Sequence, residues 1–346
     1  MKKIYSDIFQ FRGSHYDFGF QQGIDLKGSL TIQNRRKQWK TRKARFVINE
    51  KAVKEALLPY APKIWDELVG LSDALEWPID EVLKEFGGYR LEYVRSGCSI
   101  FTSEDYMIRN YDYQPKTYEG RYMIYQPNDG GYAVIGPSQR VTGRMDGMNE
   151  KGLVLGYNFI HRKNPGDGFI CNMIGRIILE RCASAEEAVT MLKEIPHRHS
   201  FSYIVMDKHQ ETYVIEATPR GVEVHKSNIC TNHFEVLKHE NRNYLDDSYK
   251  RMNAINNYKG NVSDGYQAFR MMNDLDKGVF ANDYRNWSGT IHTSAYFPKE
   301  GKVWFALGGD REPEVFDFTK WLKGEQIHLT RLYGEVDTDL SFAHMD

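Results

Sequence analysis

Apolar and polar positions alternate over residues 3–12, the period of a half-buried strand, and Gly13-Ser14 ends the run. Ser14 is placed to cap a helix over His15–Leu26, with Phe18, Phe20 and Ile24 among its apolar positions. Residues 29–95 lack strand alternation and predict helices. Ala61–Leu75 carries Ile64, Trp65, Leu68 and Leu71 at helical spacing, and Pro78-Ile79-Asp80 opens another helix to about Phe86, before Gly87-Gly88. Near Gly97 the pattern changes. Short β-rich runs follow at Ser99–Phe101, Tyr106–Arg109, Tyr122–Gln126, Tyr132–Ile135, Arg144–Met148 and Leu153–Phe159, punctuated by Gly, Asn, Asp or Pro. Asp129-Gly130-Gly131 and Asn149-Glu150-Lys151-Gly152 read as hairpin turns.

Two helices come next, over Phe169–Arg181 and, capped by Ser184, over Glu186–Glu194. Strands resume at Ser202–Met206, Thr212–Ala217, Gly221–Lys226 and Ile229–Thr231, helices at Ser248–Tyr258 and Ser263–Asn273. The hairpin Thr290–Phe297 and Lys302–Leu307 closes on Gly308-Gly309. Strand runs separated by a helix pair suit an α+β protein with two sheets face to face and helices outside.

Composition narrows the classes. The 346 residues suffice for a large core, and 41% hydrophobic with 13% aromatic content is that of a folded protein. A net charge of −1 gives no global field toward nucleic acid or membrane. No window approaches 18 consecutive apolar residues, and MKKIYSDIFQFRGS has no apolar stretch of the secretory kind. Four widely spaced cysteines without a CxxC pair argue against a disulfide framework or a zinc knuckle and for a reducing cytoplasm. Cys171, Cys182 and Cys230 read as core. The basic run Arg35-Arg36-Lys37, Lys40, Arg42, Lys43 and Arg45 reads as a solvated helix face. His197-Arg198-His199 has no carboxylate or thiol partner at ligand spacing, so no metal is expected.

Chemistry concentrates at Arg95-Ser96-Gly97-Cys98-Ser99-Ile100, with Arg109 and Asp112 a hairpin further on. A thiol attacks as thiolate and needs a base or a cationic neighbour. A Cys–His pair would draw on His197, His199, His225, His233 or His292, and spacing selects none of them. The other base is the α-amine freed by cutting Gly97–Cys98, whose pKa of roughly 7.7–8.0 lies near working pH. A glycine before the cysteine permits the backbone that lets the sulfur reach the preceding carbonyl.

Six segments together carry a resemblance. They are Phe11-Arg12-Gly13-Ser14-His15-Tyr16-Asp17-Phe18-Gly19 with Gly23; Gly97-Cys98; Arg109-Asn110-Tyr111-Asp112; Gly147-Met148-Asn149-Glu150-Lys151-Gly152-Leu153 with Gly156-Tyr157-Asn158-Phe159; Thr231-Asn232-His233; and Asp247-Ser248-Tyr249-Lys250-Arg251. In this order the chain resembles the linear-amide group of N-terminal-nucleophile hydrolases, which includes penicillin V acylase, bile-salt hydrolase and isopenicillin N acyltransferase, and it is most similar to the last of these.

The resemblance implies a four-layer αββα sandwich of two antiparallel sheets over 98–346, with 1–97 a helical pro-segment retained as a separate chain. It implies self-cleavage at Gly97–Cys98, with Cys98 then the nucleophile. Asp112 would accept from the Cys98 amine, Asn232 would give a side-chain N–H to the oxyanion, and Asn158 would line the same pocket. Arg251 would hold the cluster by charge, and Arg109 matches an arginine of the acylases and hydrolases. The reaction would be cleavage or transfer of an acyl group at a linear, non-peptide amide of a small molecule. No cofactor is implied, though an acyl-CoA could serve as co-substrate, and assembly into a homo-oligomer stays open. Two alternatives stand beside this: an unprocessed relative that binds a ligand or serves a structural role, and a Cys–His hydrolase.

Overall fold

The computed structural model describes residues 1–41, 48–92, 97–160, 164–241, 244–286 and 288–346, with the side chains of 38–41 left aside. Arg95-Ser96, Arg42, Lys43 and Arg45, and the side chain of Lys40, therefore lie outside the described residues.

Two sheets form the frame. The smaller runs in the order Ile229–Cys230, Gly97–Thr102, Met107–Asp112, Ser288–Phe297, Lys302–Leu307 and Glu314–Asp317, with Asn282–Asp283 added beside Ser288–Phe297. The larger runs Gly221–His225, Thr212–Thr218, Phe201–Met206, Val154–Phe159, Asp146–Asn149, Val134–Gln139, Arg121–Pro127, Lys2–Gly13 and Arg331–Val336, and Gly143–Arg144 joins Val134–Gln139.

Strand alternation sorts the side chains into layers. In Met107–Asp112, Ile108 faces helices Asp246–Tyr258 and Gly265–Asn273 with Ile255, Phe269 and Met272. Its neighbours Met107 and Tyr111 face the other sheet, among Ile100, Ile124, Ile135, Val154 and Ile204. Behind the large sheet, Leu155, Tyr203 and Ile215 pack on Leu68 and Leu71 of helix Pro62–Leu75 and on Ile174, Ile177 and Ile178 of helix Cys171–Arg181. The result is the expected α+β arrangement of helices, sheet, sheet and helices. Each large apolar side chain sealed between layers contributes about 1.5–3 kcal/mol.

Helix His15–Leu26 starts as the sequence indicates: Ser14 accepts from the Asp17 backbone N–H. Of its apolar positions Phe18 and Leu26 are buried, whereas Phe20 and Ile24 are exposed. Ser184 likewise caps helix Ala185–Glu194. Arg35 departs from the expected solvated face: it lies between Glu85 and Glu119, 2.7 Å from each. The C-terminal elements Glu314–Asp317, Phe318–Leu322 and Arg331–Val336 add to the predicted set.

The pairing of the first strand is a correction to two purely antiparallel sheets. Lys2–Gly13 runs parallel to Arg121–Pro127, with Gln10 opposite Ile124, and antiparallel to Arg331–Val336 on its other edge. Residues before Gly97 thus supply a strand with partners on both sides as well as helices. They also enter a buried charge network. Arg176 Nη2 donates to Glu67 Oε2 at 2.7 Å and its Nε to Glu180, while His15 Nδ1 lies 2.7 Å from Asp129 and its Nε2 3.1 Å from Glu180. No helix among the described residues is long and apolar enough to cross a membrane.

Candidate active site

Gly97–Thr102 and Met107–Asp112 form a hairpin that pairs Gly97 with Asp112, Cys98 with Tyr111 and Ile100 with Arg109. On the other edge of Gly97–Thr102, Cys230 pairs with Ile100. Continuing that register brings Asn232 beside Cys98, and the Cys98 backbone N–H donates to Asn232 Oδ1 at 2.8 Å. Two side chains thus reach the Gly97–Cys98 bond because strand pairing puts their backbones there.

Cys98 is buried, with its sulfur between the sheets. Arg109 Nη2 lies 3.3 Å from Sγ and donates to the Tyr157 carbonyl at 2.6 Å. Its Nη1 donates to Asp146 Oδ1 at 3.1 Å. The guanidinium crosses from one sheet to the other beside Gly156, where a Cβ would stand 3.1 Å from Arg109 Cδ and 2.9 Å from Ile100 Cδ1. Tyr111 and Tyr157 flank it, their ring centroids 4.9 and 5.1 Å away.

Arg251 approaches from helix Asp246–Tyr258. Its Nη1 donates to the Cys98 carbonyl and, at 2.8 Å, to Ser99 Oγ, and its Nη2 donates to Asn232 Oδ1 at 2.8 Å. Asp247 Oδ2 receives Nε and Nη2 at 3.0 and 2.8 Å, and Asp112 Oδ2 lies 3.7 Å from Nη1. Both polar groups of the Cys98 peptide unit are therefore pinned by side chains.

Asp112 Oδ1 accepts from the Thr290 hydroxyl at 2.6 Å, and Oδ2 has no hydrogen-bond partner among the described residues. That oxygen sits 3.2 Å from where a Cβ on Gly97 would be, so only glycine leaves the approach open. Asn158 Nδ2 donates to the Cys230 carbonyl at 2.8 Å, while Asn232 Nδ2 donates to the Phe159 carbonyl at 2.8 Å.

Electrostatics follow from burial. Desolvation pushes the Cys98 thiol up to about 11 against the pull of Arg109. It pushes the Asp112 carboxyl up to about 6, although Arg251 and the Thr290 hydroxyl favour the charged form. Burial is also the largest influence on the Asp146 carboxylate and opposes it, but Arg109 together with His292 and Tyr296 holds that group below its ordinary value.

All six residues singled out in the sequence, Cys98, Arg109, Asp112, Asn158, Asn232 and Arg251, converge on this space. Among the described residues no histidine hydrogen-bonds the sulfur, and Cys98, Cys171, Cys182 and Cys230 are all buried with no disulfide between them. His233 bonds Ser248 Oγ at 2.8 Å, and His292 is separated from the sulfur by Arg109 and Asp146. Sequence reasoning missed Asp146, Thr290, Ser99 and Asp247. An aspartate in the short strand-like run Arg144–Met148 was the one available hint for Asp146.

Comparison with curated proteins returns no significant match. Among solved structures, penicillin V acylase from Agrobacterium tumefaciens aligns at 15% identity and a TM-score of 0.44, over 63% of this chain and 84% of that one. A variant of conjugated bile acid hydrolase from Clostridium perfringens aligns at 15% identity and a TM-score of 0.45, over 72% and 99%. An N-acylethanolamine-hydrolyzing acid amidase orthologue from Caenorhabditis elegans aligns at 15% identity and a TM-score of 0.41, over 59% and 92%. The model of one family, acyl-coenzyme A:6-aminopenicillanic acid acyl-transferase, matches residues 101–312, which is most of the chain and holds every site residue named above except Gly97, Cys98, Ser99 and Ile100. The chain belongs to that acyl-transferase family.

Proposed function

We propose that the protein is a self-processing enzyme that uses Cys98 to cleave or transfer the acyl group of a small-molecule linear amide. The observation that carries this is the buried sulfur of Cys98, 3.3 Å from the Arg109 guanidinium, in a peptide unit held by Asn232 and Arg251.

Self-cleavage begins when Sγ attacks the Gly97 carbonyl carbon. The Gly97–Cys98 C–N bond breaks, the nitrogen takes up a proton, and a thioester joins Gly97 to the sulfur. Water then releases the Gly97 carboxylate and leaves Cys98 with a free thiol and a free amine. Burial that holds the thiol at about 11 keeps it protonated and slow in the uncut chain. Cleavage adds an amine with a pKa of roughly 7.7–8.0 one residue-length from the sulfur, a base tuned to neutral pH.

The same contacts then serve turnover. Asn232 Oδ1, which accepts from the Cys98 N–H, orients the amine, and Asp112 Oδ2 faces the space that the Gly97 residue vacates. Arg109 stabilises the thiolate and the negative charge that forms as the substrate carbonyl is attacked. The side-chain amides of Asn232 and Asn158 border the oxyanion. Arg251 fixes Asn232 and the Cys98 carbonyl. An S-acyl enzyme results, and water or an acceptor amine removes the acyl group; an acyl-CoA could load it.

Residues 1–97 stay bound after cleavage, because Lys2–Gly13 lies between two strands and Glu67 is buried against Arg176. The test is the intact mass of the wild-type protein beside Cys98→Ala. A fragment beginning at Cys98 in the first and an uncut chain in the second support the reading. A wild type that stays uncut, with or without turnover of an acyl amide, defeats it.

A further inference from the structure

Arg109 has a second anchor with its own support. Asp146 sits on the large sheet, across the inter-sheet space from the strand that carries Arg109. Its Oδ1 accepts from Arg109 Nη1 at 3.1 Å and its Oδ2 accepts from the Tyr296 hydroxyl at 2.9 Å. Tyr296 belongs to the small sheet, so both sheets fix the carboxylate. Both ends of the pair are fully buried. His292 Nε2 is 3.8 Å from Oδ1, beyond hydrogen-bond reach, and burial pushes that imidazole toward its neutral form. Arg109 is thus the charged partner that meets Asp146 directly.

A buried ion pair is an expensive way to hold two sheets together, since apolar residues of similar volume often do as well or better. This one ends on the reactive sulfur. An arginine side chain has many rotamers, and the Tyr157 carbonyl alone fixes one nitrogen of the three. Adding Asp146 at Nη1 defines the guanidinium plane and leaves Nη2 directed at Sγ. We propose that Asp146 is a positioning residue for the reaction, holding Arg109 so that one guanidinium N–H stays on the Cys98 sulfur. The inference rests on Cys98 being the nucleophile.

The charged and titratable groups around the sulfur are Arg109, Asp112, Arg251 and Tyr111, and those around Asp146 are Arg109, His292, Tyr296, Tyr118 and Tyr122. Two substitutions at Asp146 then act in opposite directions. Asp146→Asn can still accept from Arg109 but removes a negative charge that offsets the guanidinium, so the thiolate gains. Asp146→Ala removes the anchor, so Arg109 turns away and the thiolate loses.

The test follows iodoacetamide labelling of Cys98 against pH in wild type and both variants, read by peptide mass so that the other cysteines do not interfere. Only species of the same processing state are compared, because cleavage itself adds an amine beside the thiol; peptides that begin at Cys98 and peptides that span Gly97–Cys98 are told apart by mass. The apparent thiol pKa should fall by about one unit in Asp146→Asn and rise by about one unit in Asp146→Ala. A structural role would give weaker urea resistance without opposed titrations. Shifts of the same sign, or none, overturn the proposal. Should Asp146→Ala fail to fold, Asp146→Asn decides alone: a downward shift supports the proposal and an unchanged or upward one overturns it. The wild-type mass judges self-cleavage separately.

Discussion

Asp112 offers the sharpest energetic test, because the carboxylate that the proposed chemistry uses works against the fold. Burial raises its pKa to about 6, whereas an unfolded aspartate sits near 3.9. A rise of that size corresponds to about 3 kcal/mol of lost stability once the group ionises. The sign follows from proton counting. Between the unfolded and folded pKa values the native state binds more protons, so stability falls as pH rises through about 4 to 6 and stays low above. Asp112→Asn keeps an acceptor for the Thr290 hydroxyl and removes the buried charge. Arg251 loses one neighbour but keeps Asp247 at 2.8 Å. The net gain is therefore about 1–3 kcal/mol above pH 7. Both proteins must share one covalent state, so the comparison is Cys98→Ala against Cys98→Ala with Asp112→Asn, by urea unfolding at several pH values. The double variant should be more stable at about pH 8, and the gap should close near pH 4. A gap that does not change with pH, or a double variant that is weaker at pH 8, refutes the reasoning.

Other outcomes follow from the same contacts. Asn232→Ala removes the acceptor for the Cys98 N–H and for Arg251, and should lower self-cleavage and turnover by about 10²–10³ while the far-ultraviolet circular dichroism stays native. Gly97→Ala places a Cβ 3.0 Å from Ser288 Oγ and 3.2 Å from Asp112 Oδ2, so cleavage followed by gel should slow by about tenfold or more. Glu67→Gln leaves Arg176 short of one carboxylate in a buried network, which should cost about 3 kcal/mol in urea unfolding and let residues 1–97 dissociate more readily after cleavage.

Local signals made much of the fold legible. Ser14 and Ser184 cap the helices they precede, and short β-rich runs between Gly, Asn, Asp or Pro breaks locate nearly all the strands from Gly97 to Leu307. The hairpin that joins Cys98 to Arg109 and Asp112 is a short-range feature, and Asn232 and Arg251 became legible through the family likeness of their segments. What stayed hidden depends on distant pairing. The parallel partner of Lys2–Gly13 lies over a hundred positions on, and nothing in either strand's alternation names the other. Asp146 reads as an ordinary strand aspartate until Arg109 arrives from the opposite sheet, and nothing in the predicted strand Leu153–Phe159 marks Gly156 as the place where a missing Cβ lets that arginine through. Arg35 looked like surface charge because Glu85 and Glu119, which bury it, lie on other elements.

The central claim is that the Gly97–Cys98 bond is cut by the chain itself to make the catalytic amine. N-terminal sequencing with intact mass, on wild type and Cys98→Ala purified in parallel, tests it most directly. The account predicts two wild-type species, residues 1–97 and 98–346, and one uncut Cys98→Ala chain. A wild type that remains one chain while hydrolysing or transferring an acyl amide would contradict it.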